Sequence, residues 1–145
     1  MERQADSHKG ENGKVAIIGG SEAMHGAPLF SALAAEASGV DLLYVAVPRC
    51  HADVAKLQSL NFQVHPFEAD EIADEDLDAL LQMLATVDAA VIGPGLARNE
   101  TALKTISSLI LAAPCPLVLD ASALQQWTLE AIEGKDAILT PHLGE

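Results

Sequence analysis

Residues 89–110 read AAVIGPGLARNETALKTISSLI. Ala89 to Ile92 form a short apolar run that ends abruptly at Gly93-Pro94-Gly95, as a buried strand entering a turn does. Asn99 then stands where a helix N-cap is expected, and Leu103, Ile106, Leu109 and Ile110 follow at spacings of three and four residues. Strand, glycine turn, cap and amphipathic helix thus follow one another within about twenty residues, a common connection length in α/β units.

The same order recurs on both sides. Upstream, Val15 to Ile18 (VAII) is a strand closed by Gly19-Gly20. After Pro28, the positions Leu29, Phe30, Leu33, Ala34 and Ala37 predict a helix that stops at Gly39. Leu42 to Val47 (LLYVAV), closed by Pro48, predicts a strand buried on both faces, and Gln63-Val64-His65 a weaker one. Between Asp70 and Ala85 a helix is expected, with Ala73, Leu77, Leu80, Leu81 and Leu84 on one face and the acids on the other. Downstream, Leu117 to Leu119 ends at Asp120, and Ala137 to Leu139 ends at Thr140-Pro141-His142. Parallel neighbours need crossovers, so the alternation predicts an α/β, doubly wound, mostly parallel sheet with helices on both faces.

Bulk properties bound the function. The 145 residues, half of them hydrophobic, suit one globular domain, with residues 1–13 expected as a mobile N-terminal tail. The formal charge is −13, from 21 acids and 8 Lys and Arg, which argues against a nucleic-acid partner. Seven of the acids lie between Glu68 and Asp78 and are expected to form a solvated face at a helix start. The longest uncharged stretch, Thr105–Leu119, is 15 residues and broken by Pro114 and Pro116, so no membrane span is expected. The charged N-terminus lacks a secretory h-region, which makes the cytoplasm the expected location. Cys50 and Cys115 fit neither a metal nor a disulfide spacing and are expected to be reduced and without function. His25, His51 and His65 show no metal-site spacing either.

In a doubly wound sheet, ligands sit outside the carboxyl ends of the strands. The unusual residues of this chain cluster there. Gly19-Gly20-Ser21 leads to Gly26-Ala27-Pro28 just before a helix, where backbone N–H groups suit an anion such as a phosphate, although a tight turn alone also asks for glycine. In Gly93-Pro94-Gly95, proline stiffens the turn and the glycines admit a ligand close to the backbone. Asp120 is open to three roles: binding a ribose hydroxyl, binding a metal-bound water, or capping the following turn. His142 can hydrogen-bond a substrate amide or phosphate. Neither a GxGxxG fingerprint nor a phosphate-binding P-loop sequence is present, and no nucleophile triad or carboxylate pair stands out. Spacing alone points to a nucleotide-like ligand at the carboxyl edge.

Four strings taken in order extend it: DSHKGENGKVAIIGGSEAMHGAP (6–28), VDAAVIGPGLARNE (87–100), PLVLDASAL (116–124) and AILTPHLGE (137–145). In this order and spacing, from about His8 to Glu145, the chain resembles the ADP/ATP-dependent NAD(P)H-hydrate dehydratase family. The resemblance implies a ribokinase-like, Rossmann-like three-layer fold. It also implies a repair reaction, in which the hydrated cofactors (6S)-NADHX or NADPHX are dehydrated to NADH or NADPH with ADP or ATP and Mg2+. Phosphorylation there turns a poor leaving group into a good one before elimination. Hydrate-binding positions of the family map onto Ala27, Gly95 and His142, with Gly20, Gly26, Gly93 and Asp120 as secondary candidates. His142 is expected to orient the substrate rather than shuttle protons.

Two positions depart from the family pattern: GPGLG is GPGLA here, with Ala97, and DADAL is DASAL, with Ser122. Ala97 matters if that position needs a positive φ; Ser122 loses a charge but keeps capping ability. The family's adenine-nucleotide loop and its glycine-rich segment ending in the catalytic Asp lie beyond the TPHxGE motif. The expectation is therefore a C-terminally truncated domain, residues 14–145, with no catalytic residue in the chain and with an exposed sheet edge that favours poor stability or pairing. The resemblance also implies a homo-oligomer, often a tetramer. Two other functions stay open: a small-molecule kinase of the same superfamily, such as a hydroxymethylpyrimidine kinase, and a non-catalytic dinucleotide-binding module or half of a split protein.

Overall fold

β1 (Lys14–Ile18) occupies the middle of the sheet, because its residues Ala16, Ile17 and Ile18 are apolar on both faces and fully buried. The computed structural model describes residue 8 and residues 10–143. Around β1 lie β2 (Leu42–Val47) and β3 (Phe62–Pro66) on one side, and β4 (Ala89–Ile92), β5 (Leu117–Leu119) and β6 (Ala137–Leu139) on the other. The six strands pair in the order β3-β2-β1-β4-β5-β6, and every pairing is parallel. The expected doubly wound sheet is therefore present, with strand bounds at β2, β4, β5 and β6 that coincide with the apolar runs.

Helices cover the two faces. α1 (Gly26–Ala37) and the short α2 (Ala52–Gln58) pack Leu29, Ala32 and Ala55 on the face that carries Ile17, Leu43 and Val45. α3 (Leu77–Leu84) and α4 (Glu100–Ala112) pack Leu80, Leu84, Ile106 and Leu109 on the opposite face, over Ala16, Ile18, Ala90, Ile92 and Leu119. A single-turn helix α5 (Thr128–Ala131) adds Ala131 to the same side. Register places Ile17, Val91, Val118 and Ile138 in one row across the sheet. Along that row burial falls from complete at Ile17 to 63% exposure at Ile138, because the helical cover lies over the first three strands.

Three expectations need correction. α1 begins at Gly26 rather than after Pro28, because proline is tolerated in the first helical turn, where no N–H partner is required. The helix expected from Asp70 is α-helical only over Leu77–Leu84, preceded by a 3-10 turn at Asp74–Asp76. The cause is local: Asp76 accepts hydrogen bonds from the Glu68 N–H at 2.8 Å and the Ala73 N–H at 2.9 Å, which draws those amides away from helical pairing. Asp76 is consequently buried, so the acidic run is not a uniformly solvated face. The third concerns α2, where no helix is expected from the sequence; it is seven residues long and buries only Ala52 and Ala55.

Of the segment read as a tail, residues 1–7 and 9 lie outside the described residues. Its far end is held: the Gly10 and Asn12 N–H groups and the Asn12 amide all donate to Asp41 Oδ2, at 2.9 to 3.0 Å. Cys50 and Cys115 are free thiols, and desolvation pushes both above the ordinary thiol value, with Asp70 adding to the shift at Cys50. Among the described residues no helix is long and apolar enough to cross a membrane.

Candidate functional site

The carboxyl ends of the strands carry the sheet ladder into the loops beyond them. Gly19 N–H donates to Ala46 O, Gly93 N–H to Ile18 O, Asp120 N–H to Ile92 O and Thr140 N–H to Leu119 O, each at 3.1 Å. The connections after β1 and β4 meet directly, since Gly20 N–H donates to Pro94 O at 2.9 Å. These neighbouring strands send their following helices to opposite faces, α1 to one and α4 to the other. The loops therefore diverge at the topological switch point, where a doubly wound sheet opens a crevice.

Gly93 and Gly95 have different reasons for being glycine. Gly93 has φ +122°, and a Cβ there would lie 1.8 Å from Asp120 O and 2.9 Å from Ala123 Cβ. It is required for close packing of the β4 loop on the β5 loop. Gly95 has φ +72°, and a side chain there would meet Pro28, Ala27 and Gly20 only at 3.4–3.5 Å. Gly95 thus joins the two glycine turns and α1 without being crowded by them. Gly26 opens α1 with an unstrained backbone.

The two helices at this edge differ electrically. α4 is capped by Asn99, whose Oδ1 accepts from the Ala102 N–H at 2.9 Å, and Glu100 lies in its first turn. α1 has neither a side-chain cap from His25 nor an acid in its first turn. Its positive end is the one left to a ligand anion, an interaction worth roughly 0.3–1 kcal/mol at an exposed helix terminus.

A cavity of about 390 Å3 lies between the loops, lined by Ser21, Ala23 and Met24 on one side and by Gly95, Leu96, Ala97, Arg98, Ala121 and Ser122 on the other. A second, of about 450 Å3, continues along the edge beneath Gln125, Leu139 and Pro141 and shares Arg98 with the first. Gly20 and Ala27 approach within 3.5 Å of where a Gly95 side chain would stand, but of the predicted residues only Gly95 lines the first cavity, and Gly26 lies in a separate pocket with His25 and Phe30. Asp120 points the other way, accepting the Thr140 hydroxyl at 2.9 Å, and its side chain caps nothing. Exposed His142 follows Pro141, beside the second cavity rather than the first.

The departures from the family strings have definite places. Among the described residues the only non-glycine with positive φ is Ala121, so Ala97 sits in an ordinary backbone conformation. Ser122 is buried; its hydroxyl donates to Leu96 O at 2.6 Å and accepts from Arg98 Nε at 3.3 Å. Arg98 and the hairpin Ser21–Met24 were not legible as site residues from the sequence. The adjacency of Arg98 to the glycine turn was the available signal. The rings of His25 and His51 come within 5.1 Å of each other, yet among the described residues no three His, Cys, Asp or Glu side chains converge as a metal site.

Comparison with known proteins identifies the family and the fold. Residues 15–145 match the family model described as NAD(P)H-hydrate dehydratase. The chain is 41% identical to the ADP-dependent (S)-NAD(P)H-hydrate dehydratase of Cenarchaeum symbiosum, over 99% of this chain and 50% of that protein. It is 42% identical to the ATP-dependent (S)-NAD(P)H-hydrate dehydratase of Entamoeba histolytica, over 97% of this chain and 48% of that one. Among solved structures, the ADP/ATP-dependent NAD(P)H-hydrate dehydratase of Bacillus subtilis, co-crystallised with ATP and Mg2+, superposes with a TM-score of 0.72 at 27% identity, covering 99% of this chain and 49% of that one. A ribokinase-like superfamily protein of Enterococcus faecalis shares the fold, with a TM-score of 0.78 over 97% of this chain and 49% of its own. The chain spans about half the length of the relatives it matches.

Proposed function

The chain belongs to the NAD(P)H-hydrate dehydratase family, and from that premise we propose that its carboxyl edge binds the hydrated nicotinamide dinucleotide in an ADP- or ATP-dependent repair of (6S)-NAD(P)HX to NAD(P)H. The observation that carries the reading is the bond from Gly20 N–H to Pro94 O, which joins both glycine turns at the switch point beside the uncapped start of α1. In this reading the α1 terminus and the backbone around Gly26 and Ala27 receive an anionic group of the dinucleotide. Gly95 lets the ligand approach the backbone, and His142 orients the far end of the substrate from beside the second cavity. Gly20 and Gly93 shape the turns, and Asp120 acts through Thr140.

The nucleotide would convert the hydrate hydroxyl into a leaving group. Among the described residues no three His, Cys, Asp or Glu side chains converge, and Mg2+ would be held chiefly by the phosphates of the nucleotide and by water. What the chain's own residues do is hold and orient the hydrate and exclude water from one side of it. The proposal extends to a cytoplasmic location and a homo-oligomeric state, which fractionation and sedimentation test.

The functional experiment presents the purified chain with (S)-NADPHX and (S)-NADHX, with and without ADP or ATP and Mg2+, following hydrate retention by equilibrium dialysis and the appearance of reduced nicotinamide by absorbance. Saturable retention of the hydrate supports the site. Retention with nucleotide-dependent turnover supports the full reaction, and retention alone identifies a binding module. A stable phosphorylated alcohol without elimination would point to a kinase. Absence of saturable hydrate binding overturns the proposal.

A further inference from the structure

Beside the candidate cavity, the peptide of Glu22 is gripped from both ends by side chains of other segments. Its N–H donates to Glu71 Oε1 at 3.2 Å, and its C=O faces His51 Nε2 at 2.9 Å. The same His51 nitrogen lies 3.0 Å from Ser21 O. Both neighbours are carbonyl oxygens, so Nε2 carries the proton and donates to the pair. His51 comes from the 3-10 turn Arg49–His51 after β2, and Glu71 from the segment after β3.

The gripped peptide belongs to the four-residue hairpin Ser21–Met24, which already closes on itself: Ser21 N–H donates to Met24 O and Met24 N–H to Ser21 O, both at 3.0 Å. The hairpin needs neither His51 nor Glu71 to satisfy its own bonds. Holding Glu71 there also leaves its Oε2 buried with no hydrogen-bond partner among the described residues, a desolvation cost set against the single bond that Oε1 accepts. Such a local cost is expected where a segment has to be held in place for function. Ser21, Ala23 and Met24 form one wall of the 390 Å3 cavity, facing Gly95, Ala97 and Ser122.

We propose that His51 and Glu71 are positioning residues of the ligand site, clamping the Glu22 peptide so that the Ser21–Met24 hairpin stands as a fixed wall opposite the Gly93-Pro94-Gly95 turn. The inference rests on the carboxyl edge being the hydrate site. Neither residue touches the ligand. Each acts through the hairpin, and a loosened wall widens the cavity and lowers the fraction of time in which it is shaped for its ligand.

The test compares the chain with its His51→Ala, His51→Gln and Glu71→Ala variants in (S)-NADPHX dialysis and in amide hydrogen exchange. In His51→Ala and Glu71→Ala, exchange at Ser21 and Met24 should quicken while Asp120 and Thr140 keep their protection, and hydrate affinity should fall by about tenfold or more. His51→Gln, whose amide reaches the same two carbonyls, should restore both readings. Unchanged exchange at Ser21 and Met24 in both alanine variants overturns the clamp. Quickened exchange with unchanged hydrate affinity overturns the positioning role. Failure of the parent chain to bind hydrate is a different result, because it removes the site reading on which the inference rests.

Discussion

The hydroxyl of Ser122 donates to the carbonyl of Leu96 at 2.6 Å, tying the turn after β5 to the loop after β4. The bond is buried on the serine side and fixes one wall of the cavity. Ser122→Ala removes the donor and leaves a carbonyl without it. Urea unfolding should show a loss of about 1–3 kcal/mol. An unchanged midpoint would mean the two loops are held by packing alone.

Gly93→Ala is a harsher change. Its new methyl would fall 1.8 Å from Asp120 O, on a backbone with φ +122°. Neither neighbour is the flexible end of a side chain, so the loops must separate. The variant is expected to lose its cooperative thermal transition by circular dichroism. A wild-type melt from Gly93→Ala would contradict the close approach of these loops.

Ala121 carries φ +49°, which costs an alanine about 1–2 kcal/mol relative to the right-handed region. Ala121→Gly relieves this strain, offset in part by the greater entropy of the unfolded chain. A net rise in stability of up to about 1 kcal/mol is expected from denaturant midpoints. A fall in stability would show that the alanine methyl contributes more to the cavity wall than its backbone costs.

Asp74 bridges two elements, accepting from Lys104 Nζ and Thr105 Oγ1, both at 2.8 Å. Its hydrogen bond to Lys104, then that to Thr105, holds its carboxyl below the ordinary 3.8, and the same bond raises Lys104 above 10.5. The depressed carboxyl contributes stability above its unfolded value, which is lost as pH falls through the folded one. The raised ammonium contributes below its unfolded value, and this is lost as pH rises through the folded one. Asp74→Asn should therefore flatten the stability profile below about pH 3.8 and above about pH 10.5. Both groups are exposed, so the difference should be small and shrink with added salt. Parallel profiles for the two proteins would show that the pair contributes nothing.

Much of the fold was legible because its strands are short continuous apolar runs with glycine, proline or aspartate at their ends. Leu42–Val47 and Ala89–Ile92 are read to the residue, and Asn99 announces its own cap. What escaped notice depends on contacts distant in sequence. Nothing near Asp76 says that it will bond the amides of Glu68 and Ala73 and end the helix pattern early. The seven residues of α2 hold only two buried alanines, too few to mark a period. At the site, the glycine turns were visible as composition, whereas the meeting of Gly20 with Pro94 is a product of β1 and β4 becoming neighbours. His51 and Glu71 acquire their places in the same way and carry no local mark, whereas Arg98 is marked only by standing next to the glycine turn.

The all-parallel order of the sheet also bears on how the chain reaches this structure. Lys14 pairs with Leu42 and Val15 with Ala89, so the central strand gains its first partner after one crossover and its second only well past the midpoint of the 145 residues. Since no hairpin joins adjacent strands, no strand pair can form cheaply by itself, and each closure loses loop entropy before contacts offset it. During synthesis β1, β2 and β3 emerge with their helices well before β4 exists. Until then, Ala16 and Ile18 face water along an open edge that a chaperone or another nascent chain can occupy.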